Sequence, residues 1–309
     1  MLTNSKIVHV HPTRLCNFEC KHCYSSSGLQ SKNSLELSKL LYTTAQLYEY
    51  GYRQISLSGG EPSVYPDLFE MCANLIEQKF AISLISNGWK PNVLEKLHDG
   101  KLVGFTAISF DGLEHNHDNI RQRSGSFCRA IESLQRLSSL GARTGAVLSV
   151  TNSSLEELPE LVELLATTGV KKIQFHPIAQ IGRAKTSRNS ELNELSEEAL
   201  ARLILLSGVF SKMWPKIDFH CDAIFGSRLI KEKLIGANDT ISPIVVTEQG
   251  EILPIAYGMN KKLGLGKVGF KLEKPIASDA LMRIVELTKR DCSERVATTF
   301  FSELVRNSH

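Results

Sequence analysis

Short apolar runs alternate with longer amphipathic stretches through residues 1–180. Candidate strands fall at 7–11, 54–58, 81–86, 104–109, 145–150 and 172–176. The stretches between them, 35–50, 66–78, 91–98, 126–140 and 155–168, carry apolar residues at helical spacing. Alternation of this kind implies parallel strands joined by right-handed crossovers, and six such units make an open or partial barrel. Gly51 and Gly141 stand just past predicted helices, while Ser126 and Ser154 can cap helix starts.

Beyond residue 180 the pattern changes. Residues 181–193 are rich in Gly, Ser, Lys and Arg and read as a connector; 194–213 reads as a long helix ended by Trp214 and Pro215. Residues 243–246 and 251–255 flank Thr247-Glu248-Gln249-Gly250 as a β-hairpin, and 278–289 reads as another helix. The expected fold is α/β: a partial (β/α)6 barrel of the TIM type over residues 1–190, then a smaller α+β extension with a β-hairpin over 191–309. Loops after strand C-terminal ends are where such barrels build their sites.

Composition narrows the class. Hydrophobic residues are 42% and charged residues 22% of the 309, an ordinary globular balance. The net charge of +3 is spread along the chain, so no strong nucleic-acid footprint is present. The N-terminus has no apolar signal-peptide core, and no apolar run reaches membrane-spanning length. Seven cysteines, three of them clustered, fit a reducing compartment, and the expected location is the cytoplasm.

The clustered cysteines carry the chemistry. Cys16, Cys20 and Cys23 lie within eight residues just after the first strand, and three such soft ligands suit a metal site better than a disulfide framework. A four-iron cubane held by three cysteines leaves one iron open to a small molecule. A structural zinc would want a fourth ligand and a closed shell, and His22, between two of the cysteines, is poorly placed to close it.

Cys-x3-Cys-x2-Cys followed by Tyr24 resembles the signature of the radical S-adenosylmethionine (SAM) superfamily, and the second strand ends in Ser58-Gly59-Gly60-Glu61-Pro62, which resembles that family's Gly-Gly-Glu turn. The resemblance implies one [4Fe-4S] cluster on Cys16, Cys20 and Cys23, with Gly59, Gly60 and Glu61 engaging the methionyl amino group of SAM. Tyr24 would position adenine through its backbone, its ring being equally open to a packing role. Later strand ends carry Asn87, Ser109, Asp111, Ser149 and His176, which in similar enzymes approach SAM or substrate; Asn87-Gly88 and Asp111-Gly112 also serve as plain turns. Asp111 and His176 are read as facing substrate, Asn87, Ser109 and Ser149 as facing SAM.

The stretch from Asp111 to Asp118, with Arg121 and Gly125-Ser126-Phe127, resembles members that carry a SPASM or twitch extension, as does Gly182-Arg183-Ala184. Arg121 or Arg123 could pair with a carboxylate of SAM or substrate, or brace the loop. His115 and His117 are open to acid–base or structural roles. The extension departs from the family: Ile255 follows Pro254 where a cysteine ligand is expected, and only Cys221 and Cys292 remain beyond residue 128. One cluster and a degenerate, substrate-covering extension are therefore expected. Cys72 and Cys128 read as small buried residues, whereas Cys221 could donate a hydrogen atom to a substrate radical.

The resemblance implies that the reduced cluster passes an electron to the SAM sulfonium. A 5′-deoxyadenosyl radical then abstracts a substrate hydrogen, and an electron donor such as flavodoxin or ferredoxin is required. It favours a peptide substrate that is crosslinked, epimerised or otherwise matured. Only about five residues precede the first strand, so no leader-binding domain is expected ahead of the barrel; a sugar, nucleoside or other small metabolite is the second reading. A non-catalytic metal-binding scaffold is the third, and the intact Gly-Gly-Glu turn speaks against it.

Overall fold

The structure, a computed structural model, describes residues 6–186, 192–222, 242–254 and 264–272. Five strand–helix units and a sixth strand come first: β1 (Lys6–Val10), α1 (Leu37–Glu49), β2 (Tyr52–Leu57), α2 (Leu68–Glu77), β3 (Ala81–Ser86), α3 (Pro91–Asp99), β4 (Phe105–Phe110), α4 (Glu114–Arg121), α5 (Ser126–Ser139), β5 (Thr144–Val150), α6 (Asn152–Thr167) and β6 (Lys172–Pro177). Then follow α7 (Arg183–Thr186), α8 (Glu197–Met213), β7 (Asp218–Cys221), β8 (Ile244–Val246), β9 (Glu251–Pro254) and β10 (Gly266–Lys267). One sheet holds the strands in the order β10-β9-β8-β1-β2-β3-β4-β5-β6-β7. From β8 through β7 all neighbours are parallel, and only the β8–β9–β10 end is antiparallel.

Alternation along each strand separates two faces. In β1, Val8 and Val10 are fully buried toward the helices while His9 lies on the inner face. In β6, Ile173 and Phe175 face the helices and leave Gln174 and His176 inside. The helices answer with matching apolar stripes; α5 buries Phe127, Ala130, Leu134 and Leu137, spaced three and four residues apart. The core therefore sits between sheet and helices, and the inner face stays polar.

Several boundaries moved for local reasons. Helix α1 starts at Leu37 because Leu35 N–H donates to the Pro12 carbonyl and Ser34 bridges to Thr13. Helix α6 starts at Asn152 because Thr151 and Ser154 form a capping box, so Ser154 sits inside the first turn rather than before it. Ser126 does not cap α5. Gly125 occupies the N-cap at φ +75°, and the helix start is held by Asp118, which accepts from Phe127 N–H (2.9 Å) and Ser126 Oγ (2.8 Å). Helix α4 has no counterpart in the predicted helices: its His-Asn-His-Asp-Asn composition is poor in apolar residues, and its buried side is His117, Ile120 and Arg121.

The hairpin forms as expected, with Val246 opposite Ile252 and Gly250 at φ +77° closing the turn. It joins the sheet by laying β8 parallel to β1. At the other edge, α8 and β7 add a seventh parallel strand beside β6. The expected helix at 278–289, Ile255 and Cys292 lie outside the described residues. Among the described residues no helix is long and apolar enough to cross a membrane.

His117 offers a test of this packing. The ring is fully buried against Phe110 and Phe127, and burial, with Arg121 adding, lowers its pKa to about 3. The unfolded chain regains an ordinary value of about 6.5 and so takes the proton first as pH falls. Stability from the neutral ring is thus complete above about pH 6.5 and lost toward pH 3. Urea unfolding at pH 7.5 and pH 5 should show His117→Gln losing about 2 kcal/mol less than wild type between the two; equal losses would contradict a neutral buried ring.

Candidate active site

The loop after β1 has little secondary structure of its own and is tied down by the ends of other strands. Gly60 N–H donates to Thr13 O (2.9 Å) and Glu61 N–H to Leu15 O (3.0 Å), fastening it to the β2 turn. Asn87, after β3, donates from Nδ2 to Asn17 Oδ1 (2.9 Å). From α4, Ile120 O accepts Lys21 N–H (2.8 Å), and Asn119 Oδ1 accepts Lys21 Nζ (2.7 Å). After β6, Arg183 donates its N–H to Cys23 O (2.9 Å) and its Nε to Cys20 O (2.8 Å). Four strand ends thus converge on one loop.

Three free thiols sit in it: Cys16 buried, Cys20 and Cys23 half-buried. Backbone N–H groups already point at sulfur, Phe18 toward Cys16 (3.4 Å) and Ser27 toward Cys23 (3.3 Å). Burial pushes the Cys20 thiol up to about 12, with Arg121 and Arg183 pulling the other way, and pushes Cys16 higher still. Anionic sulfurs there would need a cation close by, which bound iron would supply. Asn17 Nδ2 and Arg183 Nη2 are buried donors with no hydrogen-bond partner among the described residues, as expected beside an acceptor-rich group. Among the described residues no group of three His, Cys, Asp or Glu side chains is gathered about a single point; the ligands available in the loop are three thiols, with no fourth protein ligand between them other than His22, which is turned to Asp111. The donor set fits a cubane.

The Gly-Gly-Glu turn packs on this loop. Gly59 has φ +108°, and a Cβ on Gly60 would strike the Leu15 carbonyl. Glu61 is 1% exposed. Its Oε1 accepts from Ser63 N–H (3.0 Å) and Ser86 Oγ (2.8 Å), and its Oε2 from Asn87 N–H (2.8 Å). Of about four acceptor sites on a carboxylate, one on Oε2 remains for an ammonium. Ser109 and Ser149 occupy half-buried inner-face positions on β4 and β5, Ser149 opposite His176. Tyr24 Oη lies 3.4 Å from His11 Nε2.

Other expected site residues lie elsewhere. Asp111 is fully buried, with Oδ2 accepting from Arg121 Nε (2.6 Å) and Oδ1 paired with His22 Nε2 (2.8 Å). Arg121 is thereby engaged with the protein itself. His176 pairs through Nδ1 with Asp222, which also accepts from Gln174 Nε2 (3.3 Å). His9 is close enough to His176 to feel its charge; burial first, then His176, lowers its pKa to about 4. Cys221 does not join this group: it lies opposite Phe175 in register, on the apolar face shared with Phe210. A hydrogen donor to substrate is not what that position supports. His115, with Arg123, lines a hollow of about 880 Å³ outside α4, away from the thiols.

Asp222, His9, His22 and Arg183 were not singled out for these roles from the sequence. Recognising 218–222 as a strand would have put Asp218, His220 and Asp222 on one face by alternation. No spacing rule announces the His22–Asp111 contact, which joins residues 89 apart.

The sequence model of the radical SAM superfamily matches residues 10–174. The chain is similar to the Fe-coproporphyrin III synthase of Methanosarcina barkeri, 25% identical over 84% of this chain and 65% of that protein. It is similar to the sporulation killing factor maturation protein SkfB of Bacillus subtilis, 27% identical over 56% of this chain and 42% of that protein. It therefore spans only 65% and 42% of their lengths. In fold it is similar to Streptococcus suis SuiB bound to S-adenosylmethionine, with TM-score 0.67, 15% identity, and coverage of 97% of this chain and 68% of that one.

Gly182 tests the clamp on the cysteine loop. At φ +58° its Cα sits against the Cys23 and Tyr24 carbonyls, and a Cβ would overlap both. Gly182→Ala should fold with the sheet intact but take up less than about half the wild-type iron on anaerobic reconstitution, because the clamp has to shift. Wild-type iron and sulfide content in that variant would contradict the clamp.

Proposed function

The chain belongs to the radical SAM superfamily, an enzyme family whose members use SAM and a [4Fe-4S] cluster, and on that premise we propose that it cleaves SAM reductively and uses the resulting 5′-deoxyadenosyl radical to modify a peptide. The observation that carries the reading is the fastening of the three-thiol loop to the Gly-Gly-Glu turn through Thr13 and Leu15. It supports the reading because the three thiols and the Gly-Gly-Glu turn belong to one hydrogen-bonded unit. Cys16, Cys20 and Cys23 hold a single cluster, which when bound supplies the one-electron chemistry. Glu61 keeps an acceptor site for the amino group. Asn87, Ser109, Ser149 and Tyr24 offer polar groups to the rest of SAM, and electrons come from a flavodoxin- or ferredoxin-like donor.

Substrate enters the inner face of the sheet, where His9, Gln174, His176 and Asp222 meet. Asp222 accepts from His176 Nδ1, which leaves Nε2 to bond a substrate N–H or O–H or to take its proton. The catalytic unit is read as the β1–β6 barrel strands within residues 1–190, with β7 and β8 of the later segment extending the same sheet at its two edges, and the free thiols among the described residues suit a cytoplasmic setting. A peptide substrate is supported by the SkfB likeness and by SuiB, whose structure has also been determined with its precursor peptide. A second reading, a small molecule of the tetrapyrrole kind, is favoured by one observation: likeness to the coproporphyrin synthase runs through 84% of this chain, against 56% for SkfB.

Anaerobically reconstituted protein with a strong reductant should form 5′-deoxyadenosine from SAM, and the Cys16/Cys20/Cys23→Ala variant should form none. A fully loaded wild type that neither cleaves nor binds SAM would overturn the reading. Native mass spectrometry of anaerobically isolated protein separates the substrates: a retained short peptide supports the first, a retained tetrapyrrole the second.

A further inference from the structure

The cysteine loop is joined through His22 to a buried charge pair. Asp111 closes β4 with no solvent exposure, and Arg121 ends α4 at 4% exposure. Between them runs a 2.6 Å bond from Nε to Oδ2. The other carboxylate oxygen goes to His22, which stands between Cys20 and Cys23. Taking two such charges out of water is expensive, and a buried pair is weak evidence of added stability. Its contact with His22, which stands in the cysteine loop, gives it another use.

Charges in this setting are poorly screened, so their influence on a neighbouring redox centre is strong. Two contacts tie this pair to the cysteine loop: His22 Nε2 lies 2.8 Å from Asp111 Oδ1, and Ile120, the neighbour of Arg121, accepts Lys21 N–H (2.8 Å) next to Cys20. One-electron reduction adds one negative charge to a cluster on these sulfurs. A fixed cation beside it stabilises the reduced form, and a fixed anion opposes that. The histidine contact holds the carboxylate, and with it the guanidinium, at constant distance from the loop.

We propose that Arg121 and Asp111 set the reduction potential of the cluster, Arg121 raising it and Asp111 limiting the rise, with His22 anchoring the pair to the cysteine loop. These are positioning and electrostatic residues rather than catalytic ones. The inference rests on the cluster assignment above and deepens it.

The test is a potentiometric titration, followed by electron paramagnetic resonance, of reconstituted wild type, Arg121→Gln, Arg121→Lys and Asp111→Asn, each with its iron and sulfide measured. Arg121→Gln should shift the potential down, Asp111→Asn should shift it up, and Arg121→Lys should stay nearer wild type than Arg121→Gln. A structural role alone would not produce opposite signs. Should Asp111→Asn fail to assemble, the Arg121 variants decide: a fully loaded Arg121→Gln at the wild-type potential overturns the proposal. So do shifts of the same sign in Arg121→Gln and Asp111→Asn. Failure of the wild type to take up iron would overturn the cluster assignment and this inference with it.

Discussion

The loop that carries Cys16, Cys20 and Cys23 forms neither helix nor strand, so it does not satisfy its own backbone in that way. Its N–H and C=O groups must find partners elsewhere, because buried unpaired ones are costly. Here the partners come from the β2 turn, from α4 and from Arg183 beyond β6, while the Asn17 side chain is met by Asn87 after β3. Parallel strands bring their C-terminal ends to the same rim, so the fold supplies these groups together. The glycines follow from the same constraint: Gly60 and Gly182 lie where the loop backbone leaves no room for a Cβ. The site is less a set of ligands added to a barrel than the place where the barrel's loops meet.

The inner face is polar for a related reason. Helices cover the outer side of the strands and take the apolar alternates, leaving His9, Ser149, Gln174 and His176 inside. Burial keeps His9 and His117 neutral at ordinary pH. Around the thiols the balance differs, since two arginines and one carboxylate stand close to Cys20. One end of the barrel is thus arranged for charge and the interior for hydrogen bonding. That division fits the proposed sequence of electron delivery followed by chemistry on a bound substrate.

Much of this was legible in the sequence. Strand alternation, the cysteine spacing and the Gly-Gly-Glu turn lie in runs of a few residues, and local patterns of that length survive folding. What escaped depended on contacts between distant segments. Helix α4 has too few apolar residues to show a stripe, and it is held by His117 and Ile120 packing inward and by Asp118 capping the next helix. Strand β7 is short, follows Trp214-Pro215, and acquires its meaning only beside β6. Without it, Cys221 looked available to substrate and Asp222 went unnoticed; strand alternation reverses both. Glu61 was read for the ammonium it could bind, and nothing in the sequence shows that Ser86 and Asn87 also hold it.

The central claim is that three thiolates leave one iron open and that the adjoining turn directs the methionyl end of SAM onto it. The most direct measurement is electron–nuclear double resonance of the reduced, reconstituted protein with SAM labelled with nitrogen-15 at the amino group. Hyperfine coupling between that nitrogen and the cluster, lost when the label is absent, is the predicted result. A fully loaded protein saturated with SAM that shows no such coupling would contradict the account.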